Sequence, residues 1–225
     1  MLGEMRRGLF IGIAVVVVVA FLALFYFGAG QPASGGITGG DPAEGAVHIF
    51  GEDSAPVEIV EFSNYLCAHC QNHALNMLSS LMSEYVEKGQ VRYIFRDFPF
   101  TGQANVIRAG EAAACAGDQD AYVDYHILLF RDMQGWGGLG LEALNQRFTN
   151  YAQQLGLDPE VFTSCLESGD KRGQVLADQE YGATLGINST PTFFINGEMN
   201  VGTHPIEWWE EKISQAIAAQ ASADQ

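Results

Sequence analysis

The chain has 225 residues, with 27 acidic against 11 basic side chains and a formal net charge of −16. Its 48% hydrophobic and 17% charged residues exclude wholesale disorder and a scaffold held together by disulfides alone. The acid excess excludes a basic phosphate-binding footprint, and with it nucleic acid as a partner.

Leu9 to Phe27 is a run of 19 uncharged residues. As a helix at ~1.5 Å per residue it spans roughly 28 Å, close to the ~30 Å hydrocarbon core of a bilayer. Arg6 and Arg7 precede it, so the positive-inside rule predicts a cytoplasmic N-terminus over 1–7, a membrane anchor over 8–28 and an extracytoplasmic remainder. A cleaved signal peptide is the rival reading. Against it, the run exceeds the usual ~7–15 residues, and Gly28-Ala29-Gly30 matches a cleavage site poorly. With Arg6, Arg7 and Glu4 set aside, 9 basic and 26 acidic residues remain, a net −17, so the acidity belongs to the exported part. Residues 29–46, rich in Gly, Ser and Pro, read as a flexible linker.

Val57 to Phe62 is short, β-branched and mostly apolar, the pattern of a buried strand. Apolar residues at helical spacing follow through Ala74, Leu78, Leu81 and Val86. Val91 to Phe95 predicts a second strand, parallel to the first in a βαβ unit. Residues 103–186 read as a helical block broken at Gly135–Gly140. Within it Asp158 is a candidate N-cap before Pro159. Thr192–Ile195 and Glu198–Val201 flank Asn196-Gly197, a hairpin turn signal. Ile206–Ala219 predicts a closing helix.

Cys67-Ala68-His69-Cys70 falls at the junction of the first strand and the helix. First-turn amides and the helix dipole favour a thiolate at Cys67, the attacking form of the side chain. Cys70, three residues on, shares its helix face and can close a disulfide with it. It is expected to be the more buried, resolving cysteine. His69, if cationic, would stabilise the Cys67 thiolate further, and a stabler thiolate makes a more oxidising disulfide. Two other readings stay open: an inert disulfide, and a metal site drawing on Cys67, Cys70 and His73 or on the His69/His73 pair. Gln71, standing after Cys70, rules out a c-type haem motif.

Gly51 to Val57, Val60-Glu61-Phe62-Ser63 and the Cys67–Cys70 motif resemble the DsbA-like branch of the thioredoxin superfamily. Ser189-Thr190-Pro191-Thr192-Phe193 with Ile195-Asn196-Gly197 is similar to that family's cis-proline loop and hairpin. The resemblance covers about residues 48–220 and departs at Ala68, where such proteins often have proline. It implies an α/β thioredoxin fold, a mixed sheet flanked by helices, over 47–222, with a helical insertion at about 103–186. It also implies a cis Thr190–Pro191 bond beside the cysteines, with Thr190 and Pro191 meeting the substrate strand. Glu61 becomes a buried acid moving protons to and from Cys70. A solvated, exposed Glu61 is the alternative. In an exported domain Cys115 and Cys165 are expected to form a structural disulfide, as similar proteins carry one in this region. A relay pair exchanging with Cys67 and Cys70 is the alternative.

His48, His126 and His204 read as surface or capping residues, and Trp136 as a loop anchor or a substrate contact. Trp208-Trp209 reads as packing the closing helix on the sheet. The expected function is a monomeric extracytoplasmic thiol:disulfide oxidoreductase, a dithiol oxidase of exported thiol proteins, needing no cofactor and no metal. A membrane partner of the DsbB or vitamin K epoxide reductase type would reoxidise it. The alternatives are a reductase or isomerase of the same fold, and a non-catalytic metal- or protein-binding module.

Overall fold

The computed structural model describes residues 40–100 and 102–223. The predicted anchor and most of the predicted linker lie outside the described residues. Among the described residues no helix is long and apolar enough to cross a membrane.

Five strands form one mixed sheet in the order β1-β3-β2-β4-β5. They are β1 (His48–Phe50), β2 (Val57–Ser63), β3 (Val91–Asp97), β4 (Thr192–Ile195) and β5 (Glu198–Val201). β2 and β3 run parallel, and the other neighbours pair antiparallel. The polypeptide between β2 and β3 forms α1 (Ala68–Asn76), α2 (Leu78–Leu81) and a wide π turn (Met82–Val86). The single helix expected from the apolar spacing is therefore interrupted at Met77. Buried Leu78, Leu81 and Val86 keep the apolar face turned inward through the break.

Between β3 and β4 lie α3 (Ala104–Gly117), α4 (Tyr122–Arg131), the short α5 (Met133–Trp136), α6 (Leu141–Gln154), α7 (Pro159–Ser168) and α8 (Arg172–Thr184). Asp158 caps α7 as expected, its Oδ1 accepting the Glu160 and Val161 amides at 2.9 and 3.1 Å. Trp136 is fully buried and donates its indole N–H to the Leu129 carbonyl at 2.8 Å. It anchors the insertion and cannot reach a substrate. The chain closes with α9 (Ile206–Ala223). Trp209 on α9 sits 4.8 Å from Phe193, ring to ring, and holds that helix against the sheet.

Alternation along β2 divides the core. Val57, Ile59 and Glu61 face α1, α9 and the insertion, whereas Val60 and Phe62 face Leu185 and Ile187 behind the sheet. The back layer also corrects the linker boundary. Residues 42–45 form a turn, and Ala43 and Ala46 pack on the back of the sheet. Arg96, buried and paired with Asp178 at 2.9 Å, donates to the Pro42 and Glu44 carbonyls at 2.8 Å each. Glycine- and proline-rich composition concealed this clasp, because a turn shows no apolar period. β1 went unpredicted because three residues are too few to show alternation. Its His48 is half-buried. The ring stacks on Tyr122 at 4.1 Å, and burial, first of all, lowers its pKa to about 4.

Cys115 on α3 and Cys165 on α7 are joined in a disulfide across 50 residues of sequence. Replacing both with alanine is expected to lower the unfolding free energy by up to about 4 kcal/mol, the entropy of closing such a loop. Urea denaturation measures this, and an unchanged midpoint would exclude a stapling role.

Candidate active site

The site forms where β2 ends and α1 begins. Asn64 shapes the connection. Its Oδ1 accepts the Leu66 amide at 2.9 Å, and its backbone carbonyl accepts the Cys67 amide at 3.0 Å. Its Nδ2 reaches the Phe98 carbonyl at 3.0 Å and Gln103 Oε1 at 2.7 Å. This buried asparagine fixes the turn that delivers Cys67 to the N-cap of α1. Tyr65, one residue on, is buried, and its hydroxyl lies 2.9 Å from His126 Nδ1. His126 is thus a core residue, contrary to the surface reading, and burial lowers its pKa to about 3.

Cys67 and Cys70 carry free thiols of opposite character. Cys67 is partly exposed, and its pKa falls from 9.0 to about 5. The chief cause is the Cys70 thiol beside it. Burial opposes this, while Thr190 and the Cys70 and His69 amides favour the thiolate. What His69 brings to Cys67 is therefore its backbone N–H. The His69 side chain is exposed, and its carbonyl accepts from the Thr203 hydroxyl at 3.1 Å. Cys70 is buried, and desolvation raises its pKa well above 9.0.

The Thr190–Pro191 bond is cis, and the Cys67 thiol donates to the Thr190 carbonyl at 3.2 Å. The loop before β4 thus lies directly on the reactive sulfur. Leu66 stands beside it and approaches Gly137 from the insertion, where an added Cβ would lie 2.7 Å from Leu66 Cδ2.

Beneath Cys70 lies a buried polar cluster. Glu61 has no solvent exposure. Tyr93 donates its hydroxyl proton to Glu61 Oε2 at 2.7 Å, and His73 Nε2 stands 3.0 Å from the same hydroxyl and 3.9 Å from Oε2. Desolvation raises the Glu61 pKa to about 7, opposed first by the Tyr93 hydroxyl and then by Ser63. Desolvation likewise drives His73 down to about 3, with a smaller contribution from His204. At neutral pH, then, Glu61 is partly protonated and His73 is neutral. The His73 ring is engaged with Tyr93 and packs 4.6 Å from Phe193, so it is not offered to a metal beside the cysteines. Among the described residues no group of three or more His, Cys, Asp and Glu could hold a metal ion.

The structure brings Cys67, Cys70, Thr190, Pro191 and Glu61 into one site and keeps Cys115 and Cys165 apart in the insertion. Asn64, Tyr93 and Ser63 belong to the site but were not singled out from the sequence. Asparagine before a strand-to-helix junction is a turn signal. A tyrosine inside an apolar strand carries no such mark.

An absorbance titration of the reduced protein at 240 nm is expected to show one thiolate transition near pH 5 that Cys67→Ser removes. A first transition at the ordinary thiol value would contradict this electrostatic account of the site.

A family model described as Thioredoxin matches residues 43–215. The protein named Na(+)/H(+) antiporter NhaA 1 of Salinispora arenicola is 33% identical over 174 residues, covering 76% of this chain and 25% of that protein. The chain therefore spans about a quarter of that relative's length. Disulfide bond formation protein D of Bacillus subtilis is 26% identical over 165 residues, 71% of this chain and 72% of that protein. Among solved structures, Wolbachia pipientis alpha-DsbA1 superposes with a TM-score of 0.70 at 21% identity, covering 79% of this chain and 94% of that one. At that identity the likeness is one of fold.

Proposed function

The chain belongs to the thioredoxin family, and from that premise we propose that it is a DsbA-like thiol:disulfide oxidoreductase acting as a dithiol oxidase. The observation that carries the reading is the split between the two cysteines, with Cys67 held near 5 and Cys70 pushed above 9.0. A substrate thiolate attacks Cys67 Sγ of the Cys67–Cys70 disulfide, and Cys70 departs. A second substrate thiol then attacks the mixed disulfide and releases Cys67 as a stable thiolate. A stabilised reduced form makes the disulfide a strong oxidant, which favours oxidase over reductase. The relative in Bacillus subtilis, named for disulfide bond formation, supports the same chemistry.

Transport is not proposed. The antiporter relative extends far beyond the matched quarter. Thiols of exported proteins are the proposed substrates, met along the cis-proline loop by Thr190 and Pro191. A membrane partner of the DsbB or vitamin K epoxide reductase type would restore the disulfide, and residues 8–28 would tether the domain beside it.

Alkylation trapping in cells tests the reading. Cys67 and Cys70 are expected to be mostly oxidised, with a potential well above that of the glutathione pool. A mostly reduced pair would turn the assignment to a reductase. Activity that survives Cys67→Ser would leave only a binding module.

A further inference from the structure

We propose that Tyr93 and His73 are positioning residues for Glu61: the Tyr93 hydroxyl, aimed by the His73 ring, fixes how tightly that carboxyl keeps its proton. This rests on the oxidoreductase reading, in which Glu61 serves the cysteine pair.

The three side chains come from three elements. Glu61 stands on β2, Tyr93 on the parallel β3 and His73 on α1, one turn beyond Cys70. The register pairs Tyr93 with Ile59, two residues before Glu61, so both side chains leave the sheet on one face. All three are fully buried. The Tyr93 hydroxyl lies 2.7 Å from Glu61 Oε2 and 3.0 Å from His73 Nε2. Those two contacts settle where the hydrogens sit. A phenol has one proton to give, and the carboxylate takes it. His73 must then donate its Nε2–H to the Tyr93 oxygen. The other ring nitrogen agrees. Nδ1 is buried with no protein partner, so a proton there would be stranded. The network thus assigns the Nε2–H tautomer. With that N–H in place, the hydroxyl cannot turn from the carboxyl toward the ring.

The surroundings hold the arrangement. Phe193, paired with Glu61 across the sheet, and Trp209 pack on the His73 ring at 4.6 and 5.3 Å. The titratable groups facing the carboxyl are Tyr93 from β3 and Cys70 and His73 from α1. Tyr65 and Tyr122 feel its charge from further off, and His204, before α9, acts on His73. Among the described residues no lysine or arginine pairs with Glu61. A neutral phenol therefore stands where a cation would otherwise steady a buried carboxylate.

The test reads the carboxyl directly. Carbon-13 NMR of the full-length protein, labelled at its glutamate side chains, follows the titration, and Glu61→Gln identifies the signal. Tyr93→Phe is expected to raise the midpoint by about one to two pH units, the worth of one hydrogen bond to a charged group. His73→Leu should raise it by less. His73→Gln, whose amide can donate to the Tyr93 oxygen, should restore it. The double variant Tyr93→Phe/His73→Leu should match Tyr93→Phe alone, because His73 acts through that hydroxyl. A midpoint unmoved by Tyr93→Phe or by His73→Leu overturns the proposal, as do single shifts that simply add in the double variant. If Tyr93→Phe does not fold, the His73 pair decides, and a shift that glutamine fails to restore overturns it. Disulfide reduction by dithiothreitol carries the link to the cysteines. The advantage of each protein over the same protein with Glu61→Gln should fade at its own carboxyl midpoint. A shifted midpoint that the rate does not follow overturns that link. A wild-type protein that exchanges with no thiol at any pH would instead sink the oxidoreductase reading, and the carboxyl titration would still decide the positioning.

Discussion

Cys67→Ser protein is expected to show no thiol–disulfide exchange above the uncatalysed background, whereas Cys70→Ser protein should accumulate as mixed disulfides with its substrates. The difference follows from where each sulfur sits. Cys67 caps α1, is partly exposed and is ionised down to about pH 5. Serine in its place is neither ionised at neutral pH nor able to bond to sulfur. Cys70 is buried and holds its proton, so it cannot replace Cys67 as the attacking group. Without Cys70, however, Cys67 still captures a substrate disulfide, and nothing within the protein then expels the substrate. Non-reducing electrophoresis of acid-quenched samples resolves the adducts. Exchange that persists in Cys67→Ser, or a Cys70→Ser protein free of adducts, would contradict the assigned roles. The pH dependence has a definite sign. Because the Cys67 pKa is depressed on folding, its contribution to the reduced protein is complete above 9.0 and declines to nothing as pH falls to about 5. The oxidised protein has no such contribution, so the stability of the reduced form relative to the oxidised form should fall on acidification.

Much of this site could be read from local signals. The strand before Cys67 announced itself by β-branched apolar residues, and the Cys-x-x-Cys spacing placed two thiols on one helix turn. Asn196-Gly197 marked its hairpin, and both residues do take positive φ, at 46° and 81°. What stayed hidden depends on contacts between segments distant in sequence. Arg96 looks like an ordinary strand cation until Asp178, 82 residues away, and the Pro42 carbonyl are seen around it. His126 carries no mark of burial in a helix whose inward face is set by Tyr65 and Phe95. The Glu61 cluster was half legible. A carboxylate inside an apolar strand is anomalous on its own, but Tyr93 and His73 meet it only through the β2–β3 register and the seating of α1.

Glu61→Gln is expected to stabilise the fold at pH 8 while slowing exchange, two effects of opposite sign from one buried group. The Glu61 pKa rises from 4.5 to about 7 on folding, chiefly through desolvation. The folded protein therefore binds the proton more tightly than the unfolded chain. Stability is unaffected below pH 4.5, falls as pH climbs toward 7 and then stays reduced, by about 3 kcal/mol for a shift of this size. Glutamine has nothing to ionise and escapes that loss. Its carbonyl can take over the Tyr93 hydrogen bond. The midpoint of denaturation should accordingly match wild type at pH 4.5 and exceed it at pH 8, by about 2–4 °C per kcal/mol in a thermal scan. The resemblance to DsbA-like proteins makes Glu61 the proton donor for Cys70, and the same change would remove it. Disulfide reduction near pH 6 should slow by ~10²-fold, the lower end of what general acid–base catalysis contributes. The Cys67 titration should barely move, because the causes of its low pKa do not include Glu61. A variant less stable at pH 8 would mean that the carboxylate is paired better than its burial implies. Unchanged exchange would remove Glu61 from the chemistry and leave it a tolerated cost of the fold.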